Sequence, residues 1–385
     1  MATCFRKETW MVFFIYLRKR SMESLSLLVQ KRLPEQPSAS RLKLFMRGSR
    51  PRLGYKNRRN CLFHYDKIGS MNKTGQECKI SVIIATRNRA KALEKISLPS
   101  LEKQTFKDFE VIIWDASDNN DSAEVVKKFP ELNLRYFKAP RVGSCSQRND
   151  AVKVSEGDIV FFMDDDSELS PDALEGIHEA MTTTEIAGCS PQGVEKASEE
   201  EKIKDIFLRI FSKIFLLGGE GKKMIVLNSG RHVCPKRVPP GEAQWLGGCA
   251  AYRKEIFQNY SFDEELQRFS GYALGEDLLF SHSLFRAGQK LVILNIGKVI
   301  HHRIQGERGD PVILSASKIF NFFLIWKKTI FPTNKISVGA LIVSIIGSII
   351  LGVLVLLFRG NPGPIKGTFL GLKEILKYLC SYRHY

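Results

Sequence analysis

The sequence predicts an α/β fold built on a mostly parallel sheet. Three observations carry this. From Lys79 onward, short β-branched runs alternate with helix-like segments, the pattern of repeated βα units. The runs Ile80–Ala85, Phe109–Trp114 and Ile159–Met163 are apolar almost throughout, as strands covered on both faces are. Each run also ends in a polar cluster: Thr86-Arg87-Asn88, Asp115–Asp118 and Asp164-Asp165-Asp166. Open α/β sheets bind ligands beyond the carboxyl ends of their strands, so the clusters place a binding site on one edge.

The remaining elements follow in order. Arg89–Leu101 reads as a helix interrupted at Pro99, and Ser122–Phe129 as a second helix. Leu134–Phe137 reads as a strand and Gln147–Ser155 as a third helix. A helix from Lys254, another across Glu276–Ala287, and strands Leu291–Ile293 and Val299–His301 close a body spanning residues 79–305. Ser190–Pro240 has a weaker pattern. Within it, Ile203–Leu217 is amphipathic, with Ile206, Phe207, Ile210, Phe211, Ile214 and Phe215 on one stripe and Arg209 and lysines opposite. Such a stripe either packs into a core or lies on a membrane.

Residues 306–335 contain the apolar run Ile319–Phe331 and read as an interfacial helical segment. Ile336–Phe358 has 23 residues and no charge. As a helix it would reach about 34 Å, against a hydrocarbon core of about 30 Å. A single span is the first expectation; Gly339, Gly347 and Gly352 leave a re-entrant hairpin as the second. Residues 359–385 read as a basic amphipathic tail. The formal net charge is +17, but Met1–Ser70 holds 16 Lys/Arg against four acids, which is +12 of that total and leaves +5 for the rest. The excess thus belongs to a basic, disordered extension, or to residues upstream of a true start at Met71. No nucleic-acid partner is expected. The eight cysteines are scattered without a Cys-x-x-Cys pair, which points to reduced thiols and away from a zinc site.

The chemistry-bearing residues stand at the strand ends. Three adjacent carboxylates repel one another. A hard cation relieves that repulsion, and an oxygen ligand set suits Mg²⁺ or Mn²⁺. Asp164–Asp166 would then neutralise a departing diphosphate. His301, at the end of the last strand, is a candidate to complete the metal shell. Asp277, at a helix start where the dipole favours the ionised form, is the candidate general base, with Glu276 orienting the acceptor. Arg148 reads as a first-turn residue placed to meet phosphate. Trp245, Gly247 and Gly248 are candidates for the acceptor side, where an aromatic face can stack on a sugar.

In series, Ser81–Arg89, Gln104-Thr105-Phe106, Val111–Asp115, Arg148–Ala151, Gly157-Asp158, Phe162–Asp166, Trp245–Gly248 and Gly275-Glu276-Asp277 resemble the family 2 glycosyltransferases of GT-A fold. The resemblance implies an inverting displacement on a nucleotide-diphospho-sugar. It also implies that Thr86, Arg87 and Asn88 contact the nucleotide, with Asp165 and Arg148 in the donor site. Asp164 and Asp166 would act as the Asp-x-Asp pair and Asp277 as the base. The family has two acids in a row after its second strand, whereas here Ala116 follows Asp115; Asp115 or Asp118 is expected to take over the base contact. The C-terminal region looks like that of bacterial members that build polysaccharide or glycolipid on lipid-linked or saccharide acceptors. Nucleotide sugars are made in the cytosol, so the body is expected on the cytoplasmic face of the cell membrane. A catalytically silent scaffold of the same fold is the alternative.

Overall fold

The structure is a computed structural model that describes residues 79–194, 203–269, 273–302 and 310–381. The basic N-terminal segment and the question of its start lie outside the described residues.

Four parallel strands form the first half of the sheet: β1 (Ile80–Thr86), β2 (Phe109–Asp115), β3 (Leu134–Lys138) and β4 (Ile159–Phe162), in the spatial order β3-β2-β1-β4. Every residue of β2 and β4 is buried, which is why these runs are apolar without alternation. Helix α1 runs through Ala90–Ala92, Leu93–Ser97 and Leu98–Glu102. It is not broken at Pro99. A π-type segment at Leu93–Ser97 precedes the proline, which sits in the first turn of the resumed α-helix, where its missing N–H costs nothing. Helix α2 (Asp121–Val126) links β2 to β3, and α3 (Ser144–Val154) links β3 to β4. The core beneath the sheet collects Ile80, Val82, Ile84, Leu93, Leu98, Leu101, Val111, Ile113, Ile159 and Phe161.

The second half reverses direction. After β5 (Ser167–Leu169) and helix α4 (Ala173–Thr182) comes β6 (Ile186–Val194), and later β10 (Gly241–Glu242), β11 (Ala250–Arg253) and β12 (Lys290–His301). Strand β11 is antiparallel to both β4 and β6, while β12 is parallel to β6 and carries β10 and β5 on its flank. The two strands expected at Leu291–Ile293 and Val299–His301 are one strand with a register shift between Ile293 and Lys298. Gly297 lies in that break at φ +80, with Ala173 against it. Residues 190–240 hold helix α5 (Ile203–Ile214) and a small sheet of β7 (Gly219–Glu220), β9 (His232–Cys234) and β8 (Ile225–Val226). On α5, Phe211 is buried, but Phe207, Ile210 and Ile214 are 58, 54 and 63% exposed. The core-packing expectation therefore fails for these three residues of the stripe.

Helix α6 (Glu276–Arg286) precedes β12, and α7 (Pro311–Ile325), α8 (Val338–Arg359) and α9 (Gly363–Ser381) end the described chain. The interfacial reading of residues 306–335 is corrected over Ile319–Ile330. Phe320, Leu324 and Ile325 are fully buried, and the Asn321 carboxamide donates to the carbonyls of Leu266 and Leu274 at 2.9 Å. This helix is a wall of the body, and its apolar residues face protein. Helix α8 is continuous, and Lys335–Arg359 is long and apolar enough to cross a membrane. Two of its glycines serve close packing, Gly347 against Phe215 and Gly352 against Ile365, while Gly339 meets nothing within 4 Å. Gly363, Gly367 and Gly371, four residues apart on α9, meet Pro311, Val312 and Ala316 of α7, a seam of small residues that lets two backbones approach.

Candidate active site

The chain runs β1→β2→β3 to one side of β1 and then returns to place β4 on the other. That reversal leaves a crevice at the carboxyl ends of β1 and β4, and the cavity, of about 1150 Å³, opens there. Thr86 at the end of β1 donates to the Asp165 carboxylate at 2.7 Å. Arg89, the N-cap residue of α1, reaches Asp165 at 3.1 Å and Asp166 at 3.0 Å through a single nitrogen. His301 arrives from the far end of β12, where pairing with β5 sets it beside the triplet, and its Nε2 lies 2.7 Å from Asp166. Burial pushes Asp165 up to about 6 against the pull of Thr86 and Arg89. Burial also opposes charge on Asp166, but His301 and Arg89 outweigh it and hold this carboxyl below its ordinary value.

A second network crosses the cavity. Helix α3 begins at Ser144, three residues earlier than the sequence predicts, so Arg148 lies one turn inside it and not at its phosphate-facing end. Its side chain is buried and bridges Glu276 at 2.5 Å and Asp164 at 3.2 Å. Burial disfavours the guanidinium charge, yet Glu276 and Asp164 more than compensate, and its pKa is raised. Gly275, at φ +84, makes the left-handed turn that starts α6. Asp277 follows in the first turn, half-buried in the cavity wall. Burial, then the neighbouring Glu276, pushes its carboxyl up to about 7, while a 2.7 Å bond from the Leu278 N–H pulls the other way.

The acceptor candidates lie on the loop before β11. Ser281 of α6 accepts from the Leu246 N–H at 2.9 Å and donates to the Asp277 carbonyl at 2.6 Å, which ties this loop to the first turn of α6. A Cβ on Gly248 would fall 2.7 Å from Asp164; only glycine lets that carboxylate stand where it does. Trp245 is 6% exposed, lines the cavity, and has an indole N–H without a partner. Beside it, Met224, His232 and Phe322 extend the cavity to α7.

Most sequence-predicted residues line this one cavity: Thr86, Arg87, Arg148, Asp164, Asp165, Asp166, Trp245, Gly247, Gly248, Glu276, Asp277 and His301. Asp115 does not. It is fully buried, accepting from the Ser117 N–H and hydroxyl and from the Tyr136 hydroxyl at 2.8 Å, and those bonds consume its carboxylate. Asn88 and Asp118 stand at the rim, bonded to each other at 2.8 and 2.9 Å, with Arg87 3.7 Å from Asp118. Sequence reasoning missed Arg89 as a site residue, although three carboxylates in a row call for a nearby cation. It also missed Gln147, which donates to the carbonyls of Thr86 and Trp114 at 3.0 and 2.8 Å and ties two strand ends together. The described cysteines, Cys145, Cys189, Cys234, Cys249 and Cys380, are free thiols.

For a divalent cation, the donor chemistry fits: Asp164 is 35% exposed toward the cavity, and Asp166 and His301 stand close behind. Among the described residues no three His, Cys, Asp or Glu side chains are already arranged as a metal cage, and Arg89 and His301 hold the two oxygens of Asp166.

Residues 81–261 match the family model for glycosyl transferase family 2. The chain is 31% identical over 163 residues to a GalNAc(5)-diNAcBac-PP-undecaprenol beta-1,3-glucosyltransferase of Campylobacter jejuni, covering 36% of this chain and 50% of that protein. It is 34% identical over 105 residues to the poly(ribitol-phosphate) beta-N-acetylglucosaminyltransferase TarP of Staphylococcus aureus, covering 26% of this chain and 32% of that one. The chain thus spans half or less of these relatives. Among solved structures, S. aureus TarS residues 1–349 with UDP-GlcNAc superposes with a TM-score of 0.43 at 19% identity, over 72% of this chain and 81% of that one. GalNAc-T7 with UDP, GalNAc and Mn²⁺ gives 0.48 at 16% identity, over 67% and 51%. Residues 81–261, just under half of the chain, thus form a domain of the glycosyl transferase family 2 type.

Proposed function

We propose that this chain moves a sugar from a nucleotide-diphospho-sugar to a hydroxyl or phosphate of a membrane-linked acceptor, with inversion at the anomeric carbon. The observation that carries this reading is the Arg148 bridge, which sets the Asp277 helix and the Asp164–Asp166 turn across one cavity. An acceptor hydroxyl beside Asp277 gives its proton to that carboxylate as its oxygen attacks the anomeric carbon. The bond from that carbon to the diphosphate oxygen breaks on the opposite face, and the nucleoside diphosphate leaves. A base with a raised pKa suits proton removal near neutral pH. Asp164, Asp166 and His301 would hold Mg²⁺ or Mn²⁺, which when bound supplies positive charge to the departing diphosphate. Thr86, Arg87 and the rim pair Asn88 and Asp118 face the nucleotide end. Trp245, Gly247 and Gly248 face the acceptor.

The name of the C. jejuni relative includes a polyprenyl diphosphate acceptor, and the α8 helix has the length of a span. Both support an acceptor at the membrane; the body lies on the cytoplasmic face in this reading because nucleotide sugars are made in the cytosol. The test is transfer from a panel of nucleotide sugars, with the anomeric configuration of the product read by NMR. An inverted product that requires Asp277 supports the reading; a retained configuration overturns the mechanism.

A further inference from the structure

Behind the acceptor end of the cavity lies a buried cation with no anion to neutralise it. Arg231 immediately precedes β9 and is 8% exposed. Its guanidinium donates to the Ser344 and Ser348 hydroxyls of α8 at 3.3 and 3.2 Å and stacks over the Phe322 ring at 4.3 Å. Among the described residues no carboxylate pairs with it. The two other arginines that serve the site differ in this respect: Arg148 has Glu276 and Asp164, and Arg89 has Asp165 and Asp166. Two neutral hydroxyls leave three of its five N–H donors unused, and buried charge without a counter-charge is costly. Burial lowers its pKa to about 10.

Three further groups converge there. Lys318 lies four residues before Phe322 on α7, which puts the two on one face of that helix, and burial, then Arg231, lowers its pKa. His232, next in sequence to Arg231, has a ring nitrogen Nδ1 without a partner, and so has the Trp245 indole N–H that its ring meets edge-on at 4.7 Å. Both His232 and Trp245 line the cavity, as does Phe322. Two cations and two unpartnered polar groups thus surround the junction of β9, α7 and α8. Donor sets of this kind are completed by a phosphate.

We propose that Arg231 and Lys318, with His232 and Trp245, bind a phosphate group of the acceptor, seating its saccharide end toward Asp277. The shared chemistry is a phosphate ester, and its lipid-linked form suits the setting. Helix α8 carries Ile346, Val353, Leu357 and Phe358 exposed to 46, 39, 71 and 82%, a surface along which a lipid chain can lie. That the occupant is the acceptor rests on the transfer reading; that an anion binds does not.

The test uses the full chain in a neutral detergent or in nanodiscs, without donor or divalent metal, and reads binding by thermal shift and titration. The arms are a long-chain isoprenyl phosphate, the matching isoprenol, and inorganic pyrophosphate, each against wild type, Lys318→Gln and Arg231→Lys. The expected result is isoprenyl phosphate binding at least about tenfold tighter than isoprenol, with about tenfold loss in Lys318→Gln. Pyrophosphate binding that Lys318→Gln also weakens supports the site with a soluble source. Equal affinity for phosphate and alcohol, or affinity unchanged in both variants, overturns the proposal and makes Arg231 a staple between β9 and α8. Lys318→Gln keeps the test alive if Arg231→Lys fails to fold. Anion binding without donor turnover would leave this site standing and sink the transfer reading alone.

Discussion

Asp165 is the middle carboxylate of the triplet, and the fold itself claims it through Thr86 and Arg89. Asp164 is the most open of the three, whereas Asp166 is as buried as Asp165 and has both oxygens engaged by Arg89 and His301. The place of Asp277 at a helix start was legible because a Gly-acid-acid sequence is a local feature. The fate of Asp115 was not, since Tyr136, which seals it, lies 21 residues away on a neighbouring strand. Asp277→Asn should lower kcat by about 10²–10⁴-fold while the melting temperature holds or rises. Because burial lifts the Asp277 pKa to about 7, kcat/KM should climb with pH below that value and level off above it. The sign for stability is opposite. A carboxyl whose folded pKa is raised stabilises the fold relative to its ionised form below the ordinary carboxylate range, and that advantage is lost as pH rises through about 7. Asp277→Asn should therefore gain stability over wild type at pH 8 and not at pH 4, as melting curves at the two values will show. Arg148→Met leaves Glu276 and Asp164 facing each other without their cation. It should cost about 3 kcal/mol or more in stability, measured by denaturant titration, as well as activity.

Elements were legible where periodicity was local. The parallel strands β1, β2 and β4 agree with the expected runs to within a residue, because strands buried on both faces leave an unmistakable apolar run. The α7 segment was misread: apolar sequence does not say whether it faces lipid or protein, and only the contacts with Leu266 and Leu274 decide that. The small sheet of residues 219–234 escaped because strands of two or three residues carry no period. Glycine positions test these packings. Gly248→Ala should push Asp164 aside and weaken donor binding by about tenfold with the fold intact, as calorimetry against circular dichroism would show. Gly347→Val forces Phe215 and α5 away from α8 and should cost about 1–3 kcal/mol, read as a lower melting temperature in detergent.

On the scale of the molecule, the sheet, its reversal at β11 and the helices α6 and α7 all serve one cavity. The unbroken apolar face of α8 and the exposed residues of α5 lie on surfaces that suit a bilayer. The charge distribution makes a separate forecast. With +12 of the net +17 in residues 1–70, a protein lacking that segment should keep most of its transfer activity, whereas a nucleic-acid role for the basic residues would require them. In the proposed function, Asp164–Asp166 supports a metal-assisted nucleotide-sugar site. Its most direct measurement is calorimetric titration of purified protein with a panel of nucleotide sugars, with and without Mn²⁺, beside Asp166→Ala. Metal-dependent binding of at least one donor, lost in Asp166→Ala, is the predicted result. Donor binding that is indifferent to the metal and to Asp166 would contradict it.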